Sequence, residues 1–189
     1  IISYKSAWLK IYDTPVFYFP KFFHPDPTVK RQSGFLMPSF MDSTNLGSSF
    51  QLPYYHAISD NKDFTVYPRL YADKKLLLQS EFRQKGSDSS FVMDGSIINE
   101  NNSSDKSHFF INASKNLDFD LFDETKLDLR LEQVSNDSYL KTYKLKSPII
   151  TDFGSLKSSV GVDANKENLQ LSLDFEVYEN LSKKESDRY

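Results

Sequence analysis

Long runs of strict two-residue alternation dominate this chain. In NLQLSLDFEVY, Leu169, Leu171, Leu173, Phe175 and Val177 share one face, while Gln170, Ser172, Asp174 and Glu176 share the other. TKLDLRLEQV sets Leu127, Leu129 and Leu131 against Asp128, Arg130 and Glu132. KLLLQSEFRQ sets Leu76, Leu78 and Phe82 against Gln79, Glu81 and Arg83. Side chains of a strand point to opposite faces in turn, so each run reads as a strand with one apolar and one polar side. No run sustains the i, i+3, i+4, i+7 spacing of an amphipathic helix. Polar clusters such as FMDSTNLG, SDNKD, YADKK, KGSDSS, NENNSSDKS, VSNDS and DANKEN read as the turns between them. The strands they bound are roughly 8–12 residues long, above the usual length in soluble sheets and close to that of tilted membrane-crossing strands. From residue 33 onward, about eight to ten such strands are expected, in an antiparallel meander.

Two environments fit this period. In a soluble β-sandwich the apolar faces meet a second sheet; in a membrane barrel they meet lipid and the polar faces line a lumen. Strand length and the charge on the polar faces point to the barrel. So do tyrosines near strand ends (Tyr54, Tyr55, Tyr67, Tyr71, Tyr139, Tyr143 and Tyr178), whose rings and hydroxyls suit an interfacial girdle. The pattern alone leaves both open. Composition narrows the rest. Apolar residues make up 39% of the chain and aromatics 15%, a balance suited to half-buried strands. The net charge of −3 carries no basic footprint for nucleic acid. With no cysteine, a disulfide framework and a thiolate metal site are excluded within this stretch. No run approaches the roughly 20 apolar residues of a membrane-spanning helix, and IISYK at the start has no signal-peptide character. Both ends read as cuts through a longer chain.

The first thirty residues have a different texture, with Pro15, Pro20, Pro25 and Pro27. SAWLKIY and PVFYF read as short strands and KFFHPDPTVKRQ as an extended linker, because proline fixes φ and disfavours helix before it. The expected division is 1–20, a linker at 21–32, and 33–189. In GFLMPSFMDSTNLGSSFQLPYYHAI, the two arms of a hairpin each carry a proline mid-strand, Pro38 and Pro53. Proline gives no N–H to a ladder and is kept to edges, ends and bulges. From the residues alone, both read as bulge or edge devices that block aggregation. Pro68, in VYPRLY, is expected to bend the third strand.

Motifs of chemistry are missing. His24, His56 and His108 have no partner at zinc-ligand spacing and read as solvated or interface residues. DFDLFDE has the first two acids of a calcium loop but Phe122 in the third ligand position and no turn glycine, so it reads as a charged strand end. No GxSxG, P-loop or GxGxxG occurs, and no histidine–carboxylate dyad is apparent. The sequence points to no enzyme, cofactor or metal site.

PVFYFP, HPDPTVKRQSGFLMP, LPYYHAI, DFTVYPRLY and SEFR, in that order and spacing, resemble the LptD (OstA) family of outer-membrane lipopolysaccharide transport proteins. SNDSYLKTY and VYENL have the same flavour. The family carries a basic–glycine turn before its fourth barrel strand, where ADKK here has no glycine. The resemblance implies an all-β architecture: residues 1–20 as the last strands of a periplasmic β-jellyroll, and residues 33–189 as the N-terminal part of a large antiparallel transmembrane β-barrel. It further implies delivery of lipopolysaccharide to the outer leaflet through a lateral gate at Pro38 and Pro53. Its partners would be the cargo, a plug lipoprotein, LptE, and a periplasmic bridge protein, LptA. Phe17, Phe19, Phe22 and Phe23 would line an acyl-chain path or simply pack at the domain junction. Lys30 and Arg31 would meet anionic phosphates or stay solvated. A soluble β-sandwich that binds a ligand or partner, and a passive porin, are the rival readings.

Overall fold

The computed structural model describes residues 2–11, 13–24, 31–99, 105–150 and 152–182. The chain divides into two compact units, Ile1–Ser33 and Gly34–Tyr189. The first is a hairpin of β1 (Ile2–Ile11) and β2 (Thr14–His24), antiparallel, with a register shift between Leu9 and Lys10. Asp13 turns the chain at φ 62. Across the hairpin the Trp8 and Tyr18 rings lie 4.7 Å apart, and the Tyr18 hydroxyl donates to Ser6 Oγ at 3.2 Å. Strand continues through His24, so the first residues of the stretch read as linker are extended and paired.

The second unit is one antiparallel meander. Its first two strand positions are each broken in two: β3 (Gly34–Phe35) with β4 (Ser39–Met41), then β5 (Ser49–Gln51) with β6 (Tyr54–Ser59). Seven unbroken strands of 10 to 12 residues follow: β7 (Lys62–Tyr71), β8 (Leu76–Lys85), β9 (Ser89–Ile98), β10 (Lys106–Leu117), β11 (Glu124–Val134), β12 (Ser155–Lys166) and β13 (Leu169–Asn180). Sheet order follows chain order, and the sheet ends in open edges at β13 and at the β3–β4 strand. The fold is therefore all-β and antiparallel, and within this chain the sheet is not closed.

The two faces are assigned opposite to those of a soluble sheet. Buried strand positions include Asp63, Thr65, Arg69, Gln79, Glu81, Asp94, Ser96, His108 and Glu132. Leu70, Leu76, Leu78, Ile97, Phe109, Leu129, Leu131, Val160 and the row from Leu169 to Val177 are exposed, with Phe175 at 77%. Cross-strand register puts these apolar residues on one face: Ile111 pairs with Leu131, Leu129 with Val160, and Val160 with Phe175. A sheet in water hides its apolar side; from β7 to β11 this one hides polar side chains, while both faces of β13 are exposed.

The segment 135–154 does the hiding. It contains α1 (Tyr139–Thr142) and lies on the polar face. Tyr139, Leu140, Tyr143, Leu145, Ile149 and Ile150 pack with Tyr71, Leu77, Ile98, Phe110 and Leu156 into one core. Those strand residues all sit at the sheet end from which the segment emerges. That end also has the connections 42–48 and 72–75; the opposite end has 60–61, 86–88, 118–123 and 167–168, and the 135–154 segment is the longest among the described residues. In the 72–75 turn, Lys74 takes φ 68, the left-handed conformation that the glycine expected there adopts without penalty.

Within this all-β fold, α1 is a four-residue helix without a side-chain cap bond. Burial holds it rather than propensity, since so short a helix is not stable alone. If the exposed row meets hydrocarbon, Leu129→Arg, mid-strand on that row, will lower the unfolding free energy of the full-length protein in lipid by about 2–4 kcal/mol. Asp128→Asn, on the opposite face, will change it little. Urea unfolding in vesicles measures both.

Candidate functional site

The hairpin at residues 34–59 opens where its prolines sit. Phe35 pairs with Tyr54 and Ser39 with Gln51, so residues 36–38 stand opposite 52–53. Three residues facing two is a β-bulge, and Pro38 lies within it. In an antiparallel hydrogen-bonded pair, two residues exchange two bonds. Leu36 N donates to Pro53 O at 2.9 Å, and proline returns nothing. One strand further, Leu52 N donates to Pro68 O at 3.3 Å, and again nothing is returned. The second strand thus keeps one bond of two on each side, at the same level. Aromatic pairs flank the break: Phe35 with Tyr54 at 5.1 Å and Phe40 with Phe50 at 5.0 Å. Pro68 bends into this arrangement as the third proline, while β7 keeps its register with β8 through it.

On the polar face, three strands grip the backbone of the 135–154 segment at every third carbonyl. Arg69 Nη1 donates to Tyr143 O at 2.7 Å, Gln79 Nε2 to Lys146 O at 2.6 Å, and Arg130 Nη2 to Ile149 O at 3.0 Å. Arg69 also donates through Nη2 to Gln51 Oε1 at 3.0 Å, which ties the broken second strand to the segment. Glu132 Oε1 accepts from Arg130 Nε at 2.6 Å and so orients it. At the segment's start, the Tyr139 hydroxyl and Ser96 Oγ are hydrogen-bonded at 2.7 Å. Burial pushes the Tyr139 phenol up to about 12, with the Ser96 bond pulling the other way. At its end, Asp152 accepts from Gly154 N and the Ser155 hydroxyl, and these two bonds hold its carboxyl below the usual aspartate range.

Ser96, His108 and Asp94 fall into hydrolase order on neighbouring strands. Ser96 Oγ is 2.6 Å from His108 Nδ1, and His108 Nε2 is 3.2 Å from Asp94 Oδ2. The sequence reading placed His108 at a solvated or interface position; that is corrected here, since His108 is buried beside Asp94. The trio is nonetheless a bracket for Tyr139: all three side chains are buried beneath it, and Ser96 Oγ is enclosed between the imidazole and the phenol. A nucleophile needs room for a reacting atom about 3 Å away, and this oxygen has none.

The other residues singled out in the sequence are dispersed. Pro38 and Pro53 come together at the break. Phe17, Phe19, Phe22 and Phe23 fall on β2, with side chains outside the described residues; Lys30 lies outside them altogether, and Arg31 is exposed ahead of β3. Tyr71, Tyr139 and Tyr143 are buried in the core and do not form a girdle; Tyr54 and Tyr178 are exposed. Arg69, Gln79 and Arg130 were missed as anchors. Their one sequence signal was a long polar side chain on a strand's polar face, which every strand here shares.

Residues 2–87 match the family model described as LptD protein. The resemblance to LptD holds over the first half of the chain. Similar curated sequences include the LPS-assembly protein LptD of Pseudomonas aeruginosa strain UCBPP-PA14, 37% identical over 95 residues. That of Pseudomonas putida strain F1 is 40% identical over 97, and that of Ectopseudomonas mendocina strain ymp 39% over 95. Each alignment covers 50% or 51% of this chain and 10% of the relative. The LptD match takes in β1 to β8, hence all three prolines of the break and Arg69. The segment 135–154 lies beyond it.

Two outcomes follow from these bonds. Arg69→Ala leaves Tyr143 O and Gln51 without their charged donor and lowers the local opening free energy of the segment by about 1.5–3 kcal/mol; faster exchange of the Tyr143 and Leu145 amides reports it. Because the Asp152 pKa is lowered in the fold, its contribution is complete above the ordinary aspartate value of about 3.9 and is lost as pH falls through the depressed one. Protection of the Gly154 amide is therefore expected to survive to about pH 4 and to collapse in stronger acid.

Proposed function

We propose that this chain is the part of an outer-membrane lipopolysaccharide transporter in which a periplasmic jellyroll gives way to a barrel, and that cargo leaves sideways at the proline break. The carrying observation is the break itself. The second strand forfeits one ladder bond toward each neighbour at one level, within the hairpin whose strands are each broken in two. Each missing bond is worth about 0.5–1.5 kcal/mol net, and an unsatisfied backbone group in lipid costs several kcal/mol more. A seam beside such strands parts at a lower cost than one whose ladder bonds are all made. The acyl chains of an amphiphile pass through it into hydrocarbon while its sugars stay on the polar side.

The inverted faces support a membrane setting, because exposed leucine and phenylalanine rows with buried carboxylates and arginines suit lipid outside and a polar lumen within. Connection lengths support the orientation. Outer-membrane barrels have short periplasmic turns and longer extracellular loops, so the end with 60–61, 86–88, 118–123 and 167–168 is assigned to the periplasm and the end with the 135–154 segment to the cell surface. The LptD likeness supports lipopolysaccharide as cargo, with LptE as the plug and LptA as the bridge partner. Phe17, Phe19, Phe22 and Phe23 then lead acyl chains along β2, and Lys30 and Arg31 meet phosphates ahead of the first barrel strand. No bond chemistry is assigned; the work is transport.

In the full-length protein, Pro38→Ala with Pro53→Ala returns two backbone donors to the first hairpin. The double variant is expected to fold and insert while surface lipopolysaccharide falls severalfold, read by labelling intact cells. Undiminished delivery by a folded double variant would remove the gate.

A further inference from the structure

A cavity of about 610 Å³ opens on the polar face between the broken hairpin, β7, β8 and the 135–154 segment. That is within the range of small-ligand sites, roughly 300–1,000 Å³. Ser39 and Gln51 form its wall on the hairpin side, so it borders the proline break. Its charged lining is Arg69, Arg83, Lys144 and Lys146 against Glu81, four cations to one carboxylate.

These charges are not mutually neutralised. Arg83 is matched, with Nε 2.8 Å from Asp63 Oδ1 and 3.3 Å from Glu81 Oε1. Arg69 is buried, yet its bonds go to neutral oxygens, Gln51 Oε1 and Tyr143 O. Among the described residues, no carboxylate pairs with Lys144 or Lys146. A buried guanidinium bonded only to neutral oxygens, behind two solvent-exposed ammonium groups in a concave recess, attracts an anion more strongly than the same charges spread over a convex surface.

Backbone geometry adds an independent argument. Lys144 ends α1 at φ 47, with Leu145 N donating to Leu140 O at 3.1 Å, the closure that normally uses glycine. A lysine held in the left-handed region is strained, and such strain collects at functional positions. Gln79 fixes the next turn through Lys146 O. Both ammonium groups therefore stem from a backbone that is bonded in place.

We propose that this cavity is a phosphomonoester subsite, which holds the phosphorylated sugar of a glycolipid headgroup beside the break while its acyl chains leave. It rests on the transport reading above and adds the group recognised and the residues that recognise it: Lys144 and Lys146 contact the phosphate, and Arg69 supplies the fixed charge behind them. Ser39 and Gln51 face the sugar.

The test uses the full-length protein with a photo-crosslinking residue at Ser147, on the cavity wall. Lys144→Asn with Lys146→Gln removes both charges, and asparagine tolerates the left-handed backbone, so the helix end persists; unchanged exchange at the Leu145 amide verifies it. Crosslinking to lipopolysaccharide is expected to fall at least fivefold in the double variant. Glycolipid stripped of its phosphates is expected to crosslink equally, and weakly, to both proteins. Millimolar glucosamine 1-phosphate will compete, and glucosamine will not; competition by inorganic phosphate alone at the same concentration would overturn the headgroup assignment in favour of a free-anion site. Equal crosslinking of phosphorylated and stripped glycolipid would overturn the subsite and leave transport standing, since surface delivery is scored separately with the proline variants.

Discussion

A strand in hydrocarbon has only a neighbouring strand to receive its backbone hydrogen bonds. The rest of this molecule can be read from that constraint. From β7 to β11 the strands pair as a continuous antiparallel ladder, and the side chains sort themselves by solvent: leucine and phenylalanine on the exposed face, arginine, aspartate and glutamine on the covered one. Between β11 and β12 the pairing stops at Arg130 and Ser159, and beyond it side chains receive the backbone donors: Glu132 N gives to Ser158 Oγ and Lys157 N to Glu132 Oε2. At the level of residues 36–38, 52–53 and 68, a bulge and two prolines leave Leu36 and Leu52 giving bonds that are not returned. Among the described residues no side chain makes up for the unreturned bonds at this level, and the proposed lateral opening is placed there for that reason.

The 135–154 segment belongs to the same logic seen from inside. A polar strand face needs either water or bonded partners. Here the partners are the segment's own carbonyls, taken in threes by Arg69, Gln79 and Arg130, while its tyrosines, leucines and isoleucines make the core of the unit. Through Arg69 the segment is bonded to Gln51, two residues before Pro53. The hairpin that lacks ladder bonds is thus steadied by a side chain whose other hand holds the segment, so the position of one bears on the freedom of the other.

Much of this was legible in the sequence because period-two patterning survives intact on long strands. The rows read in NLQLSLDFEVY, TKLDLRLEQV and KLLLQSEFRQ are the rows of β13, β11 and β8, and the proline in each hairpin arm marks where that arm is broken. The inward segment was not legible. Its helix has four residues, too few to set up a period, and its burial comes from long-range packing. Tyr71, Tyr139 and Tyr143 were read as girdle residues because they lie at strand ends; which way a tyrosine turns at such an end depends on what covers the face. His108 was misplaced for the same reason, since only the arrival of Tyr139 encloses it. Arg69 carries the most bonds at the break and has nothing in its sequence context to set it apart from Arg83 or Arg130.

The central claim is that the exposed apolar rows face hydrocarbon, and accessibility along β13 tests it most directly. Spin labels placed singly at positions Leu169 to Val177 of the full-length protein in lipid vesicles would be exposed to oxygen, which partitions into lipid, and to a water-soluble nickel chelate. Labels at Leu169, Leu171, Leu173, Phe175 and Val177 are predicted to relax preferentially with oxygen, and those at Gln170, Ser172, Asp174 and Glu176 with nickel. Loss of that alternation, or odd positions shielded from both reagents by a second protein layer, would contradict it.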